Sequence, residues 1–443
     1  MSSNVMKTAY QRELDVRYTP AVLVVGGGPA GIAAAVAAAR QGASVRLIEA
    51  HGCLGGMGTA GMVPGFSRFS DGVNFVAGDI FREILDAHQD AYGSSPPDRR
   101  SIRAEVLKRV YDDLLTDAGI PFTFHTQLVD VNADKGRVRE VVCAGRSGLF
   151  AIRAEMFIDC TGDGCLASLA GAPFEKGDTD GSMMPGTLGS LWAGIDWQTV
   201  RDSGLGIGNS RIEDAFKDGV FTIKDRHLPG MWRVGQALGG GNIGHTFDLD
   251  ATDEESLTRA YLWGRKSLLE YERYYKQYLK GFEKMELVAT GSLMGVRETR
   301  RIIGDYVLNI QDYDGSSSFD DEIGRYCHPI DVHSASPDIE SYEKSHRDWK
   351  TKRLGKGESY GIPYRILTPR GLDNTLVAGR CVSADRSMHG SIRVMPACFI
   401  TGQAAGVAAA MATRAGSDTR GIEIRDLQMR LKAMGAYLPN LEK

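Results

Sequence analysis

Residues 21–50 read AVLVVGGGPAGIAAAVAAARQGASVRLIEA. The opening run, 21–25, is short, apolar and β-branched, the pattern of a parallel strand buried on both faces. Gly26-Gly27-Gly28-Pro29-Ala30-Gly31 follows it. Residues 30–41 then read as an alanine-rich helix whose small side chains permit close packing, and Gly42 can end it in a left-handed cap. Residues 44–49 form a second strand ending in Glu49. This β-turn-α-β order gives G-x-G-x-x-G a physical meaning. Gly26 makes the tight turn, Gly28 lets the backbone approach a pyrophosphate, and Gly31 lets the helix pack against the sheet. The helix start at Pro29 and Ala30 then offers free N–H groups and the positive end of its dipole to phosphates. Glu49 can accept hydrogen bonds from ribose hydroxyls. The fold class expected from this stretch is α/β with a Rossmann-type unit.

The chain has 443 residues, 42% apolar and 24% charged, with a formal net charge of −4. That is an ordinary globular balance of two or three domains, and it excludes whole-chain disorder or a fibrous architecture. A weakly acidic chain without a basic tract offers no electrostatic footprint for nucleic acid. The 54 glycines among 443 residues are an excess over the usual share of about 7%. They point to many tight turns and close backbone approaches. The seven cysteines form no C-x-x-C pair, and their spacing suits neither zinc nor an iron–sulfur cluster, so no metal site is expected. They read as reduced, mostly buried thiols, and with no apolar signal core near residue 1 a cytoplasmic location is expected. No apolar run long enough to span a membrane is expected either.

Organisation follows the same signals. A glycine-rich loop runs over 53–62, amphipathic helices over 78–93 and 104–118, and strands over 121–131, 137–143 and 150–158, with a turn at Asp134-Lys135-Gly136. The stretch 174–250 is glycine-rich and weakly periodic, anchored near Trp192, Trp197, Phe221 and Trp232. A capping box of Thr252 and Glu255 starts a long helix to about Phe282, whose tyrosines read as core packing. Strands are expected around 287–292 and 304–310, and polar loops over 311–322 and 334–358. Residues 375–379 and 396–413 repeat the buried strand and alanine-rich helix of the N-terminus. A second G-x-G-x-x-G, Gly239 to Gly244, has no helix after it and reads as a loop. The expected domains are 1–173, with a helical insert over about 64–120, then 174–355, then 356–443, so that both chain ends build one domain around an insertion.

Several stretches together resemble the FAD-dependent oxidoreductases of the glutathione-reductase structural type. They are residues 22–50, LGGMGTAGMV (54–63), IDCTGDGCLASLAGAPFEKG (158–177), GVRETRRIIGDYVL (295–308) and YGIPYRILTPRGLDNTLVAGRCVSADRSMHGSIRVMPACFITGQAAGVAAAMA (360–412). The nearest group resembles a bacterial family of diverse FAD-dependent oxidoreductases. Fumarate-reductase-like and tRNA-modifying flavoproteins are more distant. The resemblance implies a Rossmann-type FAD-binding domain built from both chain ends, with an inserted α+β substrate domain. It implies that Gly26, Gly28, Pro29, Ala30, Gly31 and Glu49 hold the ADP half of FAD. Gly55, Gly56 and Thr59 would lie along the pyrophosphate and flavin, and the backbone near Leu128 beside the adenine. Thr161, Gly162 and Asp163 would form a second FAD-contacting turn. Gly379-Arg380 stands where such proteins often carry Gly-Asp near the ribityl chain, so Arg380 departs from the pattern. Arg393, Val394 and Met395 would face the pyrimidine edge, where a helix N-terminus stabilises the charge of reduced flavin.

The resemblance implies hydride transfer between flavin N5 and a CH–OH, CH–NH or CH–CH group of a small molecule. Histidine best fits a base near neutral pH. His389 lies where the resemblance puts the flavin, and His328 and His333 flank Asp331. His245 sits in the glycine-rich stretch. Arg297, Arg300 and Arg301 could hold a substrate carboxylate, or be salt-bridged with Glu298. Tyr360, Arg365 and Arg393 complete the catalytic candidates. With no second Rossmann unit for a nicotinamide, the electron acceptor or donor stays open, as does a homo-oligomer. A tRNA-modifying flavoprotein or a non-catalytic FAD-binding subunit is the alternative reading.

Overall fold

The computed structural model describes residues 8–92, 99–205, 208, 210–228, 230–349 and 352–442. A five-stranded parallel sheet forms its centre. From edge to edge its strands are Thr375–Val377, Met156–Asp159, Val22–Val25, Val45–Ile48 and Phe122–Thr123. Val22–Val25 is buried along its whole length, as its continuous apolar run requires. Pro29–Arg40 leaves the sheet through the glycine turn. The fold is thus α/β with a Rossmann-type unit.

The strand donated by the C-terminal part, Thr375–Val377, leads to the helix Met395–Ala415. That helix crosses Pro29–Arg40 at backbone contact. A Cβ on Gly402 would lie 2.1 Å from the Ala30 carbonyl oxygen, and one on Gly406 would lie 2.2 Å from that of Ala34. Alanine and glycine on both helices remove the side chains that would hold the axes apart. Met395–Ala415 is long and apolar enough, by length and composition, to cross a membrane, which the sequence reading did not expect. All of that apolar window is buried inside the protein.

A four-stranded sheet flanks the parallel one. Gln127–Asp134, Arg137–Gly145 and Gly148–Arg153 run antiparallel, with Val16–Tyr18 added in parallel at the edge. Lys135 and Gly136 both have positive φ at the expected turn. Residues 150–158, expected as one strand, belong to two sheets. The chain leaves one at Arg153 and enters the other at Met156.

Residues from Leu188 to Met294 have a core of their own, while apolar residues 302–330 join the main core. Their sheet orders Gly230–Arg233, Gly239–Asn242, Ser190–Ala193 and Glu286–Thr290, all antiparallel. Gly239–Asn242 corrects the loop expected there. Its glycines are demanded by neighbours on both faces. A Cβ would lie 2.5 Å from Ile195 at Gly239, 2.3 Å from Pro64 at Gly240 and 2.5 Å from Ser190 Oγ at Gly241. The long helix is Glu254–Tyr278, and Tyr271, Tyr274 and Tyr275 are buried in this second core. Its N-cap is Asp253, whose carboxylate accepts from Ser256 N at 2.7 Å. Thr252 is not free to cap, because its hydroxyl donates to Asp250 at 2.7 Å. No strand forms over 304–310, where only single bridges at Gly304 and Leu308 occur. Short helices Ile310–Asp314 and Ile339–Trp349 occupy the stretches expected as loops.

Two expectations follow from this packing. Gly406→Val must push the crossing helices apart, lowering unfolding free energy by about 3 kcal/mol in urea titration, as overpacking does. The second concerns His88, fully buried, whose Nε2 accepts from Arg103 N at 3.2 Å. Burial pushes its pKa down to about 4. The unfolded histidine takes up a proton as pH falls below about 6.5, while the folded one stays neutral. Its stabilising contribution is therefore complete above that pH and is lost toward pH 4. His88→Gln should flatten the fall of unfolding free energy across this window by about 1 kcal/mol per pH unit.

Candidate active site

Four glycine turns converge because the parallel strands end side by side. Gly26, at φ 99°, lies against the Cys160 carbonyl, where a Cβ would come within 2.5 Å. Gly31 leaves no room either, since its Cβ would lie 1.8 Å from Gly26 O. Gly28 differs: a Cβ there would meet nothing within 4 Å. It is the N-cap of Pro29–Arg40 and supplies no side-chain cap, so the helix start opens onto free space. A pyrophosphate fits this opening, with N–H groups and dipole directed at it. Gly56 stands opposite, its Cβ position 3.4 Å from Gly28 Cα, and Gly55 N donates to Gly27 O at 2.8 Å. Thr59 Oγ1 donates to Leu54 O at 2.5 Å and so holds this loop closed.

Glu49 is buried at the end of its strand. Oε2 accepts from Gly27 N at 2.6 Å and Oε1 from His51 N at 2.8 Å. Each carboxylate oxygen keeps a second lone pair for a ribose hydroxyl. Leu128 lies half-buried in the flanking sheet, paired with Cys143.

The second turn is organised by Asp159, fully buried at the end of Met156–Asp159. It accepts from Thr161 N, Thr161 Oγ1 and Ala167 N at 3.0, 2.7 and 2.9 Å. Burial nevertheless pushes its pKa up. Gly162 is at φ 76°, under the Arg380 guanidinium. Arg380 Nη2 is 2.6 Å from Asp163 Oδ1, and Thr299 Oγ1 donates to the same oxygen at 2.9 Å. The unusual arginine after Gly379 thus has a charge partner on the facing turn. Gly379 itself packs on Ala30, its Cβ position 3.0 Å from that methyl, and its N–H donates to Thr401 Oγ1 at 3.0 Å.

Val394 is the N-cap of Met395–Ala415 and has no capping side chain, so a second uncapped helix start opens into the same region. Met395 Sδ lies 3.1 Å from the Cβ position of Gly58. Beside it, Arg393 Nη2 donates to Asp331 O and Oδ2, both at 2.9 Å. Burial alone would raise the Asp331 pKa, but His333 and Arg393 hold it well below the usual carboxylate range.

From Asp331 a polar array runs into the inserted region. His333 Nε2 is 3.2 Å from Asp331 Oδ1. His333 Nδ1 is 2.9 Å from His245 Nε2. His245 Nδ1 is 2.9 Å from Asp225 Oδ2, approached off the axis of a well-aligned hydrogen bond. His227 completes the group, its ring centroid 4.1 Å from that of His333. Burial pushes all three histidines down, His227 to about 4, with further pressure from His245 on His227 and from Arg297 on His245 and His333. They are therefore neutral near pH 7, with lone pairs available. Arg297 is buried nearby, Nη1 donating to Pro185 O at 2.8 Å and Thr187 Oγ1 at 3.0 Å. Burial and Arg393 lower it to about 10.

The other candidates are placed differently. His389 is fully buried, with Nε2 2.8 Å from Arg380 O. Tyr360 is also fully buried, its hydroxyl 2.8 Å from Ser391 Oγ. His328 lies under Ser391, whose hydroxyl donates to its carbonyl at 2.6 Å. Arg301 pairs with buried Glu298 at 2.5 Å, and Arg300 Nη1 donates to Asp163 O at 3.1 Å. Arg365 is paired with Asp321 at 2.9 Å in a separate hollow of about 1080 Å³ that also contains Arg420 and Gln428. All seven cysteines are free thiols. His227 and Asp225 were missed in the sequence. The signal available was the repeated Asp-x-His of Asp225-Arg226-His227 and Asp331-Val332-His333.

No curated protein matches the chain. Among solved structures, a geranylgeranyl bacteriochlorophyll reductase-like protein from Thermoplasma acidophilum aligns at TM-score 0.48 and 14% identity, covering 95% of this chain and 84% of that one. The p-nitrophenol 4-monooxygenase PnpA from Pseudomonas putida DLL-E4 aligns at TM-score 0.47 and 12% identity, covering 94% and 87%. The flavin-dependent brominase Bmp2 aligns at 0.44 and 11%, covering 94% and 84%. Likenesses this distant say nothing of substrate. The family model described as FAD dependent oxidoreductase matches residues 21–431, almost the whole chain, and the chain belongs to that family, with FAD as its cofactor.

Proposed function

We propose that this flavoenzyme, of the glutathione-reductase structural type, transfers a hydride between a small organic substrate and flavin N5. The observation that carries the reading is the opening of two uncapped helix starts, at Gly28 and Val394, into one region beside the Asp331–His333–His245 array. Bound FAD supplies the two-electron chemistry, and the protein supplies position and electrostatics. Gly26, Gly28, Pro29, Ala30 and Gly31 hold the pyrophosphate. Glu49 takes a ribose, and the backbone near Leu128 borders the adenine. Gly55, Gly56 and Thr59 would lie along the pyrophosphate and flavin, Thr161, Gly162 and Asp163 would form the second FAD-contacting turn, and Gly379 and Arg380 would stand near the ribityl chain. Arg393, Val394 and Met395 place a helix dipole at the pyrimidine edge, where it favours negative charge.

A substrate carbon that gives up a hydride from a CH–OH or CH–NH group must also release a proton from oxygen or nitrogen. The Asp331–His333–His245 array lies on the substrate side of this arrangement and supplies the polar path for that proton. Arg393 and Asp331 keep His333 in place. His389 and Tyr360 are positioning residues, the first through the Arg380 carbonyl and the second through Ser391, two residues before Arg393.

An absorption spectrum tests the cofactor geometry directly. Purified protein should show flavin bands near about 375 and 450 nm that leave with the supernatant on acid precipitation. Gly28→Val should keep the far-ultraviolet dichroism of the parent, because its Cβ meets nothing, yet retain about tenfold less FAD. A colourless parent that FAD cannot reconstitute would falsify the reading.

A further inference from the structure

We propose that His227, His245 and His333 bind one divalent first-row transition ion of the zinc class, leaving a coordination position open for an oxygen of an anionic small substrate. The three come from separate segments. His227 precedes the strand Gly230–Arg233, His245 follows the strand Gly239–Asn242, and His333 comes from the main domain beyond Glu322–Tyr326. One ring nitrogen of each lies within 4.8 Å of those of the other two.

The ring arrangement offers ligand atoms that converge. The Asp331 carboxylate accepts the outer N–H of His333, which leaves His333 Nδ1 as an inner acceptor. His245 Nε2 stands 2.9 Å from it, within hydrogen-bond distance. A cation that replaces the hydrogen between the two rings makes both atoms ligands. With zinc–nitrogen bonds of about 2.0–2.1 Å, tetrahedral ligands stand about 3.4 Å apart, so the pair need open by only about half an ångström.

The surroundings are built as they are around metal-bound imidazoles. Such rings donate their outer N–H to carboxylates that fix ring orientation. Asp331 accepts in this way from His333 and is itself held by Arg393. Asp225 lies 2.9 Å from His245 Nδ1, off the hydrogen-bond axis, and its other oxygen accepts from the His227 backbone N–H at 2.9 Å. An all-imidazole set suits zinc, iron(II), nickel or copper rather than magnesium or calcium. Three protein ligands with one free position is the arrangement of catalytic rather than structural zinc. Charge selects the remaining ligand. Asp225 and Asp331 balance Arg297 and Arg393, so the ion adds two uncompensated positive charges, which an anionic oxygen donor offsets in part. This choice of substrate rests on the oxidoreductase reading; the metal site itself does not.

Metal and flavin are measured on the same samples. Protein purified in metal-free buffer should carry about one equivalent of metal per chain by plasma mass spectrometry. After chelator dialysis, added zinc sulfate should bind again at one site. His245→Gln and His333→Gln should lose the ion while keeping the flavin absorbance. Asp225→Asn should weaken zinc binding about 10–100-fold, as loss of an orienting carboxylate does. Exposed His346→Gln should behave as the parent. Flavin absorbance in the variants reports folding, so loss of metal with flavin intact supports the site. A flavin-bearing parent with less than about 0.1 equivalent of metal and no saturable binding of zinc or iron(II) overturns it while leaving the oxidoreductase reading standing. Retention of the metal by both histidine variants also overturns it. A metal-bearing chain without flavin would sink the cofactor reading alone.

Discussion

The close crossing of Pro29–Arg40 and Met395–Ala415 is the contact on which the rest depends. Gly402 and Gly406 sit on the carbonyls of Ala30 and Ala34 with no room for a side chain. The two helices lie far apart in sequence, and each starts at an uncapped turn. Bringing their axes together brings both N-termini into one region. The electrostatic field that suits a dinucleotide and a reduced flavin is thus a consequence of helix packing. The strand Thr375–Val377 follows the same logic, since it joins the edge of a sheet begun by the N-terminus.

A second constraint joins the inserted region to this frame. Its core is separate, but its sheet rests on the loop after the glycine turn at backbone distance. A Cβ on Gly189 would lie 2.2 Å from Gly61 O, and one on Gly240 would lie 2.3 Å from Pro64. Gly65 in turn receives the Trp232 ring, 2.5 Å from its Cβ position. Such contacts leave little freedom for sliding, so His227 and His245 are held in register with His333 and Arg393 of the main domain. The glycine excess therefore has two origins. Some glycines adopt left-handed turns, as at Gly26 and Gly162, and others exist because a neighbour occupies the place of a side chain.

Charge pairing holds Arg380 against the facing turn. Arg380 meets Asp163 at 2.6 Å, so the two turns are joined by an ion pair. With Asp331 and Arg393, the region carries paired opposite charges on two sides, and burial leaves the histidines between them neutral.

Much of the frame was legible in the sequence because it rests on local rules. The run 21–50 determined strand, turn, helix and strand, since buried β-branched residues, three spaced glycines and an alanine stretch each have one economical conformation. The helices Asp79–Asp90 and Ala104–Asp117 and the turn at Lys135 followed from periodicity and turn chemistry. The strand Gly239–Asn242 did not, because its glycines answer to Pro64, Ile195 and Ser190, and composition alone reads as a loop. Nor did the break at Ala154, where two sheets compete for one apolar stretch. The long Met395–Ala415 helix was read from composition, but only packing decided that its apolar surface is covered by protein. The site shows the same division. Gly26, Gly28, Gly31 and Glu49 lie within one β-turn-α-β stretch, where spacing alone relates them. His227, His245 and His333 are separated by 18 and 88 residues, and no local rule links them. Their meeting was decided by tertiary structure, because it depends on how the inserted sheet is seated against the glycine turn.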